Sequence, residues 1–267
     1  MPSEAAILSD NLREAMCFFG RARAEGEIHD MPPLTVISSG VDYGVFNAAV
    51  LRSGLDKDIE PLSLQMDASA CFYGVRKLPW SFWACDDLIG DMRSPLRKIL
   101  DRHSLRHITS AAGMVTDKLK PPMHALPEME AREVLDAPTR NAFSHVTAVS
   151  FDIPFSVCDA VYSSERGWGG SLRAWVGYVD GTPVSTTATI TTAGVIGLYS
   201  VGTLPGFQRR GCAEALMRHA VKVTRGASPG NGIVLQSTRA GQRLYERLGF
   251  RVVTSFHVFL SKSLQQS

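Results

Sequence analysis

The chain has few of the residues that would organise it by covalent or metal cross-links. It contains five cysteines in 267 residues, an odd number, and no C-x-x-C pair. Disulfide frameworks and structural zinc sites need paired or closely spaced cysteines. We therefore expect reduced thiols, no metal site, and a fold held together by an apolar core.

The chain also lacks long apolar runs and a strong charge of one sign. No apolar run approaches the ~20 residues that span a bilayer, and the N-terminus, Met1-Pro2-Ser3-Glu4, has no signal-peptide core. The net charge is only +2, with scattered basic residues. These features predict a cytoplasmic protein with neither a membrane nor nucleic acid as partner.

What the chain does contain is an ordinary globular composition, 45% hydrophobic and 20% charged. Its most informative stretch is an apolar strand, residues 195–201, followed by a glycine-bearing loop and a helix over residues 213–223. The free N–H groups of a helix N-terminus attract anions, and a diphosphate would also attract Arg209 and Arg210. Gly211 would let the backbone approach a bulky phosphate. An ordinary turn with an exposed basic corner is the alternative.

A second strand, loop and short helix follow at residues 235–250. The two segments resemble the GNAT family of acyl-CoA-dependent N-acetyltransferases over roughly residues 131–260. Gln208-x-x-Gly211-x-Ala213 is similar to the family's (Q/R)-x-x-G-x-(G/A) pyrophosphate loop. Leu244-Tyr245-x-x-x-Gly249-Phe250 is similar to its last helix and strand.

This resemblance implies a GNAT fold of the α/β (α+β) class, with a mixed, mostly antiparallel sheet flanked by helices. It implies acetyl transfer from acetyl-CoA, without a metal, to a primary amine of a small molecule or peptide. Tyr245 would protonate the departing thiolate. The implied CoA-binding residues are Val201, Gly202, Thr203, Gln208, Arg209, Arg210, Gly211, Cys212, Ala213 and Thr238.

The alternative function is an acyl-CoA-binding or sensing module without turnover. The sequence leaves the general base and the acceptor open. Tyr199 shares a strand face with Val201, and the further candidates for the base are His145, Asp152, Glu165 and His257. Thr238 and Gly241 stand where the family commonly has asparagine and alanine. Cys212 lies near a helix N-terminus, which can lower a thiol pKa.

The best domain boundary is the lysine- and proline-rich segment 118–127, which cannot continue a helix or a central strand. We predict an N-terminal domain over residues 1–120 and a catalytic GNAT domain over residues 128–267. The first half alternates helices and strands but lacks the pyrophosphate loop. It is either a degenerate GNAT copy or a distinct accessory domain. The oligomeric state, monomer or homodimer, stays open.

Locally, Asp180-Gly181 predicts a tight hairpin between strands 172–179 and 184–191. A turn is predicted at Gly230-Asn231. The first helix is expected over residues 7–23, capped by Ser9 or Asn11.

Overall fold

The computed structural model describes residues 2–227 and 232–262. The predicted turn at Gly230-Asn231 and the last five residues of the predicted second domain lie outside these ranges. No helix in the described ranges is long and apolar enough to cross a membrane.

The helices are α1 Glu4–Arg21, α2 Glu60–Arg76, α3 Asp86–Ile89, α4 Arg93–Arg102, α5 Ala137–Phe151, α6 Phe155–Tyr162, α7 Cys212–Ala227 and α8 Gln242–Arg247. The strands are β1 Glu27–Met31, β2 Leu34–Ser38, β3 Asn47–Leu51, β4 Ser81–Cys85, β5 Arg106–Thr116, β6 Glu130–Glu133, β7 Leu172–Val179, β8 Thr182–Thr192, β9 Val195–Thr203, β10 Gly232–Ser237 and β11 Arg251–Leu260.

All of these strands join one 11-stranded sheet in the order β1-β2-β3-β4-β11-β5-β10-β9-β8-β7-β6. Two neighbouring pairs, β3–β4 and β9–β10, are parallel, and the other neighbours are antiparallel. The sheet is therefore mixed and mostly antiparallel, with helices packed on it. This confirms the predicted fold class.

The order of elements repeats along the chain. Three antiparallel strands, a helix, a strand, a helix and a last strand occur as β1-β2-β3-α2-β4-α4-β5 and again as β7-β8-β9-α7-β10-α8-β11. The two copies exchange their last strands, because β5 pairs with β10 while β11 pairs with β4. The sheet thus runs through the segment 118–127, and the division into domains at residues 1–120 and 128–267 stays a prediction.

The two faces of the sheet are covered by different helices. Alternate residues of β7 show this, because Ala174 and Val176 pack with α5 and α6, whereas Trp175 packs with Leu216 and Ala220 of α7. Helix α1 lies against β8 and β9 beside α5 and α6. A helix from the start of the chain therefore covers strands from its second half.

The start of α1 differs from the prediction. The hydroxyl of Ser3 caps the helix by accepting a hydrogen bond from the Ala6 N–H (3.2 Å). Ser9 and Asn11 lie inside the helix and are buried. The prediction of Ser9 or Asn11 as the cap was wrong because these polar residues face the sheet, where they have partners.

The predicted hairpin is confirmed in detail. Asp180 and Gly181 have φ angles of 48° and 74°, and two positive values are what a type I′ turn requires. Strands β1 and β6 were not predicted, since Glu27–Met31 and Glu130–Glu133 are largely polar and half exposed.

Candidate active site

The site begins where β9 and β10 diverge. Their parallel pairing is confined to Val195, Ile196 and Gly197, opposite Gly232 to Val234. Beyond this point β10 stays paired with β5, and β9 stays paired with β8. A gap therefore opens between two neighbouring parallel strands.

A β-bulge in β9 lies beside this gap. Thr186 pairs with Gly202 and Ala188 with Tyr199, so β9 has one residue more than β8 in this interval. Ser200 has a φ of +49°, an uncommon value for a residue other than glycine. Bulges are known to redirect neighbouring groups at functional sites. Here the bulge includes Val201.

The predicted anion loop follows directly. A 3-10 turn at Pro205–Phe207 leads through Gln208 to Gly211, and α7 starts at Cys212. The N–H of Ala215 donates to the carbonyl of Gly211 (2.9 Å), and the N–H groups of Cys212, Ala213 and Glu214 precede this first turn and have no intrahelical acceptor. With the helix dipole they form a positive surface suited to phosphate oxygens.

The side chains around this helix N-terminus add positive charge. Arg209 and Arg210 are exposed, and the Arg210 guanidinium lies 5.2 Å from the centroid of the Phe207 ring. Arg209 has a φ of +61°, a strained conformation for an arginine. Gln208 donates from Nε2 to the carbonyl of Thr203 (3.2 Å) and so ties the loop back to the strand.

Gly211 is required for a reason that the sequence did not reveal. Its φ is +84°, and a Cβ placed there would lie 3.1 Å from Cδ of Pro127. A side chain at this position would therefore strain the loop and press on the segment between the two halves. The predicted role of Gly211 in the approach of a phosphate would be a second, independent reason for glycine at this position.

Cys212 does not have the properties of a reactive thiol. It is buried, and burial raises the pKa of its thiol despite the nearby helix terminus and Arg210. Desolvation of the thiolate outweighs these favourable charges, so the helix N-terminus does not lower the Cys212 pKa.

Tyr245 lies on α8 at the other side of the gap. Burial raises the pKa of its phenol to about 12, and its ring packs on Phe250 at a centroid distance of 5.7 Å. Within the described residues its hydroxyl has no hydrogen-bond partner. A Cβ on Gly241 would lie 3.2 Å from Cε2 of Tyr245, which explains glycine where alanine is common.

A cavity of about 450 Å³ joins these elements. At one end it is lined by Val201, Ala213, Thr238 and Tyr245. It continues over β8 and β9 to a wall formed by α1, α5 and α6. Residues of the divergent strands, of the start of α7 and of α8 thus line one partly open cavity.

Tyr199, a candidate general base, lines this cavity but cannot serve as a base. Its hydroxyl donates to Oδ1 of Asn11 (2.6 Å), and burial raises the pKa of the phenol. The Asn11 amide in turn donates to the carbonyl of Ile190 (3.1 Å). The phenol is therefore held protonated and fixed in place.

The other base candidates lie elsewhere. His145, Asp152, Glu165 and His257 do not line the cavity. Glu165 pairs with Arg140 (3.1 Å). His257 binds Asp86 through Nε2 (2.6 Å) and Ser110 through Nδ1 (3.0 Å).

Two polar residues that sequence reasoning missed belong to the cavity. Both polar atoms of the Gln236 carboxamide and the hydroxyl of Thr147 are buried without a hydrogen-bond partner. No motif marks either residue. Among the described residues, no three His, Cys, Asp or Glu side chains gather in a way that could hold a metal ion.

Comparison with known proteins agrees with this geometry. Residues 170–252 match the family model described as "Acetyltransferase (GNAT) domain". This match shows that the chain carries a domain of the GNAT acetyltransferase type over these residues. The chain carries a GNAT domain that includes the divergent strands, the anion loop and Tyr245. A comparison with curated proteins finds no match.

Solved structures share the fold of the whole chain. A GCN5-related N-acetyltransferase from Kribbella flavida has a TM-score of 0.71 at 17% identity, covering 96% of this chain and 95% of that one. A GCN5-related N-acetyltransferase from Sphaerobacter thermophilus has a TM-score of 0.57 at 18% identity, covering 86% and 76%. A tandem GNAT protein from the clavulanic acid biosynthesis pathway has a TM-score of 0.58 at 8% identity, covering 97% and 96%.

Proposed function

We propose that this protein is an N-acetyltransferase that transfers the acetyl group of acetyl-CoA directly to a primary amine of a small molecule or peptide. One observation carries the proposal: Val201 at the gap between β9 and β10, Ala213 in the first turn of α7, and Tyr245 line the same cavity. This supports an arrangement in which an anion site, a polarising backbone and a proton donor would be adjacent.

The residues present fit coenzyme A. The first-turn N–H groups of α7 would bind the diphosphate, and Arg209 and Arg210 would add attraction. The backbone of Val201 and Thr203, on the strand that diverges, would hold the pantetheine arm. Thr238 lines the same end of the cavity. Acetyl-CoA supplies an acetyl group already activated as a thioester.

The chain's own residues would then act on the reacting atoms. The Val201 N–H would donate to the carbonyl oxygen, where negative charge develops as the amine attacks. A C–N bond forms and the C–S bond breaks. Tyr245 would donate a hydrogen bond and its proton to the departing sulfur, since its raised pKa keeps the phenol protonated.

A binding module without turnover is the competing function. A blocked cavity or a displaced Tyr245 would favour it. Neither condition holds, because Tyr245 lines a cavity of about 450 Å³ that extends past Val201. This supports catalysis over binding alone.

The test has two stages. A thermal-shift assay with acetyl-CoA, CoA and ATP comes first, and stabilisation by ATP but not by CoA would overturn the assignment. Free CoA is then measured with a panel of amines, amino acids and N-terminal peptides. A protein that binds acetyl-CoA yet releases no CoA with any acceptor would be the binding module.

A further inference from the structure

The cavity that continues beyond Tyr245 has no charged lining. None of the described residues that line it is an aspartate, glutamate, lysine, arginine or histidine. Its far wall is aromatic and comes from both halves of the chain: Phe18 of α1, Phe143 of α5, Tyr162 of α6, and Phe46 and Trp168 from the connections. The absence of charge and the aromatic wall determine which class of acceptor the cavity can bind.

The aromatic wall is packed as a unit. The rings of Phe18 and Tyr162 stack at 5.6 Å, and Trp168 meets the edges of Phe18 at 5.1 Å and Phe143 at 5.6 Å. These rings pack against each other, and the surface that they present to the cavity is mainly apolar. A volume of about 450 Å³ lies within the range of small-molecule sites.

An ammonium ion would be poorly accommodated there. Transfer of a charge from water to an apolar site is expensive unless a counter-charge pairs with it, and the lining has none. The lining also has no carboxylate or imidazole to remove a proton from an ammonium group. An amine must therefore arrive uncharged.

The cavity does have unsatisfied neutral hydrogen-bonding groups. The Gln236 carboxamide faces the Tyr199 phenol, whose single proton is donated to Asn11. The phenol can therefore accept from Gln236 but cannot donate to it, and the Gln236 Oε1 is buried without a hydrogen-bond partner among the described residues. A buried unpaired polar group costs free energy, and a ligand with a neutral donor would relieve that cost.

We propose that the acceptor is an arylamine, an amine borne on an aromatic ring and uncharged at neutral pH. Its ring binds the aromatic wall, and its amino group donates to Oε1 of Gln236. This inference rests on the proposed acetyl transfer and names its acceptor class.

The proton balance agrees with this class. A neutral arylamine and a thioester give a neutral amide and a neutral thiol: the C–N bond forms, the C–S bond breaks, and one amine proton ends on sulfur. Tyr245 can donate to sulfur and recover a proton from the acylated nitrogen. An alkylammonium would have to release one further proton, and no lining side chain accepts it.

Two isomers provide the test, 4-ethylaniline and 2-phenylethylamine, which have the same atoms but differ in basicity. With an alkylamine pKa of about 10.4, as for lysine, only about one molecule in 2,500 is neutral at pH 7. We expect kcat/KM at pH 7 to be at least about tenfold higher for 4-ethylaniline, after allowance for the stronger nucleophilicity of alkylamines. Between pH 7 and 9 it should stay level for 4-ethylaniline and rise about tenfold per pH unit for 2-phenylethylamine.

Variants of Gln236 test the amine contact. With 4-ethylaniline as the acceptor, Gln236→Leu should increase KM by about three- to tenfold, the effect of one lost hydrogen bond, without weakening acetyl-CoA binding. Gln236→Glu places a counter-charge in the cavity and should shift preference towards 2-phenylethylamine. Gln65→Glu adds the same charge on α2, away from the cavity, and should leave the preference unchanged.

The outcomes separate this inference from the proposed function. A higher kcat/KM for 2-phenylethylamine at pH 7, or a pH profile for it that levels off below pH 8, would refute the arylamine inference. Transfer to spermidine or a peptide amine but not to 4-ethylaniline would also refute it, while the proposed acetyltransferase activity would stand. Failure to bind acetyl-CoA would overturn both.

Discussion

Replacing Tyr245 by phenylalanine separates its chemistry from its packing. The ring fills a buried place against Phe250, and its hydroxyl has no hydrogen-bond partner in the described part of the chain. Phenylalanine retains the ring and leaves no other polar group without a hydrogen-bond partner. The midpoint of thermal unfolding should therefore shift by less than about 2 °C.

The expected loss of activity follows from the raised pKa. Complete proton transfer from a phenol of pKa about 12 to a CoA thiolate, whose conjugate thiol has a pKa of about 8.5, would be uphill by several kcal/mol. The same apolar cavity would also raise the pKa of the CoA thiol, which narrows the difference between the pKa values of the phenol and the thiol. Tyr245 should thus act mainly as a hydrogen-bond donor to developing negative charge. Such bonds contribute about 1.5–3 kcal/mol, so kcat should fall about 10- to 150-fold.

The assay measures free CoA at saturating acceptor, with acetyl-CoA affinity measured by calorimetry. Affinity should change less than about twofold, because the residues proposed to contact the pyrophosphate and the pantetheine lie on β9 and α7. Tyr178→Phe is the matched control, since Tyr178 is a buried tyrosine that does not line the cavity. A Tyr245→Phe enzyme with wild-type kcat would remove Tyr245 from the mechanism.

Three further predictions concern the CoA site and stability. The double variant Arg209→Asn/Arg210→Ala should weaken CoA binding at low salt and weaken it less at high salt, where the attraction is already screened. Asparagine is chosen at position 209 because it tolerates a positive φ. The control Lys222→Ala, in the far part of α7, should not weaken CoA binding, and equal losses for both variants would show that the loop is not the site. Calorimetry on the intact protein should give one CoA per chain, and two equivalent sites would contradict the assignment of a single loop. Burial raises the pKa of Tyr245 to about 12, and it also raises the pKa of Tyr199 and of buried thiols such as Cys212. Stability should therefore begin to fall above about pH 8.5, where thiols of the unfolded chain ionise, and fall further above about pH 10, by up to ~1.4 kcal/mol per pH unit for each such group. Urea unfolding from pH 8 to 11.5 measures this, and a flat profile would contradict it.

The single CoA site is argued from the internal repeat. The repeat places α2 where α7 stands in the second copy. At the start of α2, Oδ1 of Asp58 accepts a hydrogen bond from the N–H of Glu60 (3.0 Å), and Glu60 itself is acidic. A carboxylate already occupies the position that a phosphate would take, and its charge repels a diphosphate.

The local parts of the site were predictable from the sequence. The loop from Gln208 to Ala213 and the Tyr245 helix are short segments whose residue types follow from backbone requirements. The Asp180-Gly181 turn is of the same kind. In the structure Ala213, at the end of this loop, and Tyr245 line one cavity. The assignment of the loop to CoA binding and of Tyr245 to proton donation stays a prediction.

The acceptor side of the cavity was not predictable in the same way. Asn11 and Tyr199 are 188 residues apart and form one hydrogen bond, and nothing in either local sequence indicates the pairing. The burial of Asn11 reverses its predicted role as a helix cap. From the sequence, Gln236 looks like an ordinary polar strand residue, and only the packing of β5 and α1 beside β10 shows that it is buried.

The exchange of last strands explains why the site depends on both halves. β10 borders the active-site gap on one side only, and its other side is held by β5 from the first half along residues 112–116. Without β5, β10 would have a free edge on one side and the gap on the other, and it would lack the backbone hydrogen bonds that fix its position. The first half also supplies α1, which lines the cavity beside α5 and α6. The first half therefore contributes the strand that supports the gap and part of the aromatic wall, although its own helix N-terminus is predicted not to bind a diphosphate.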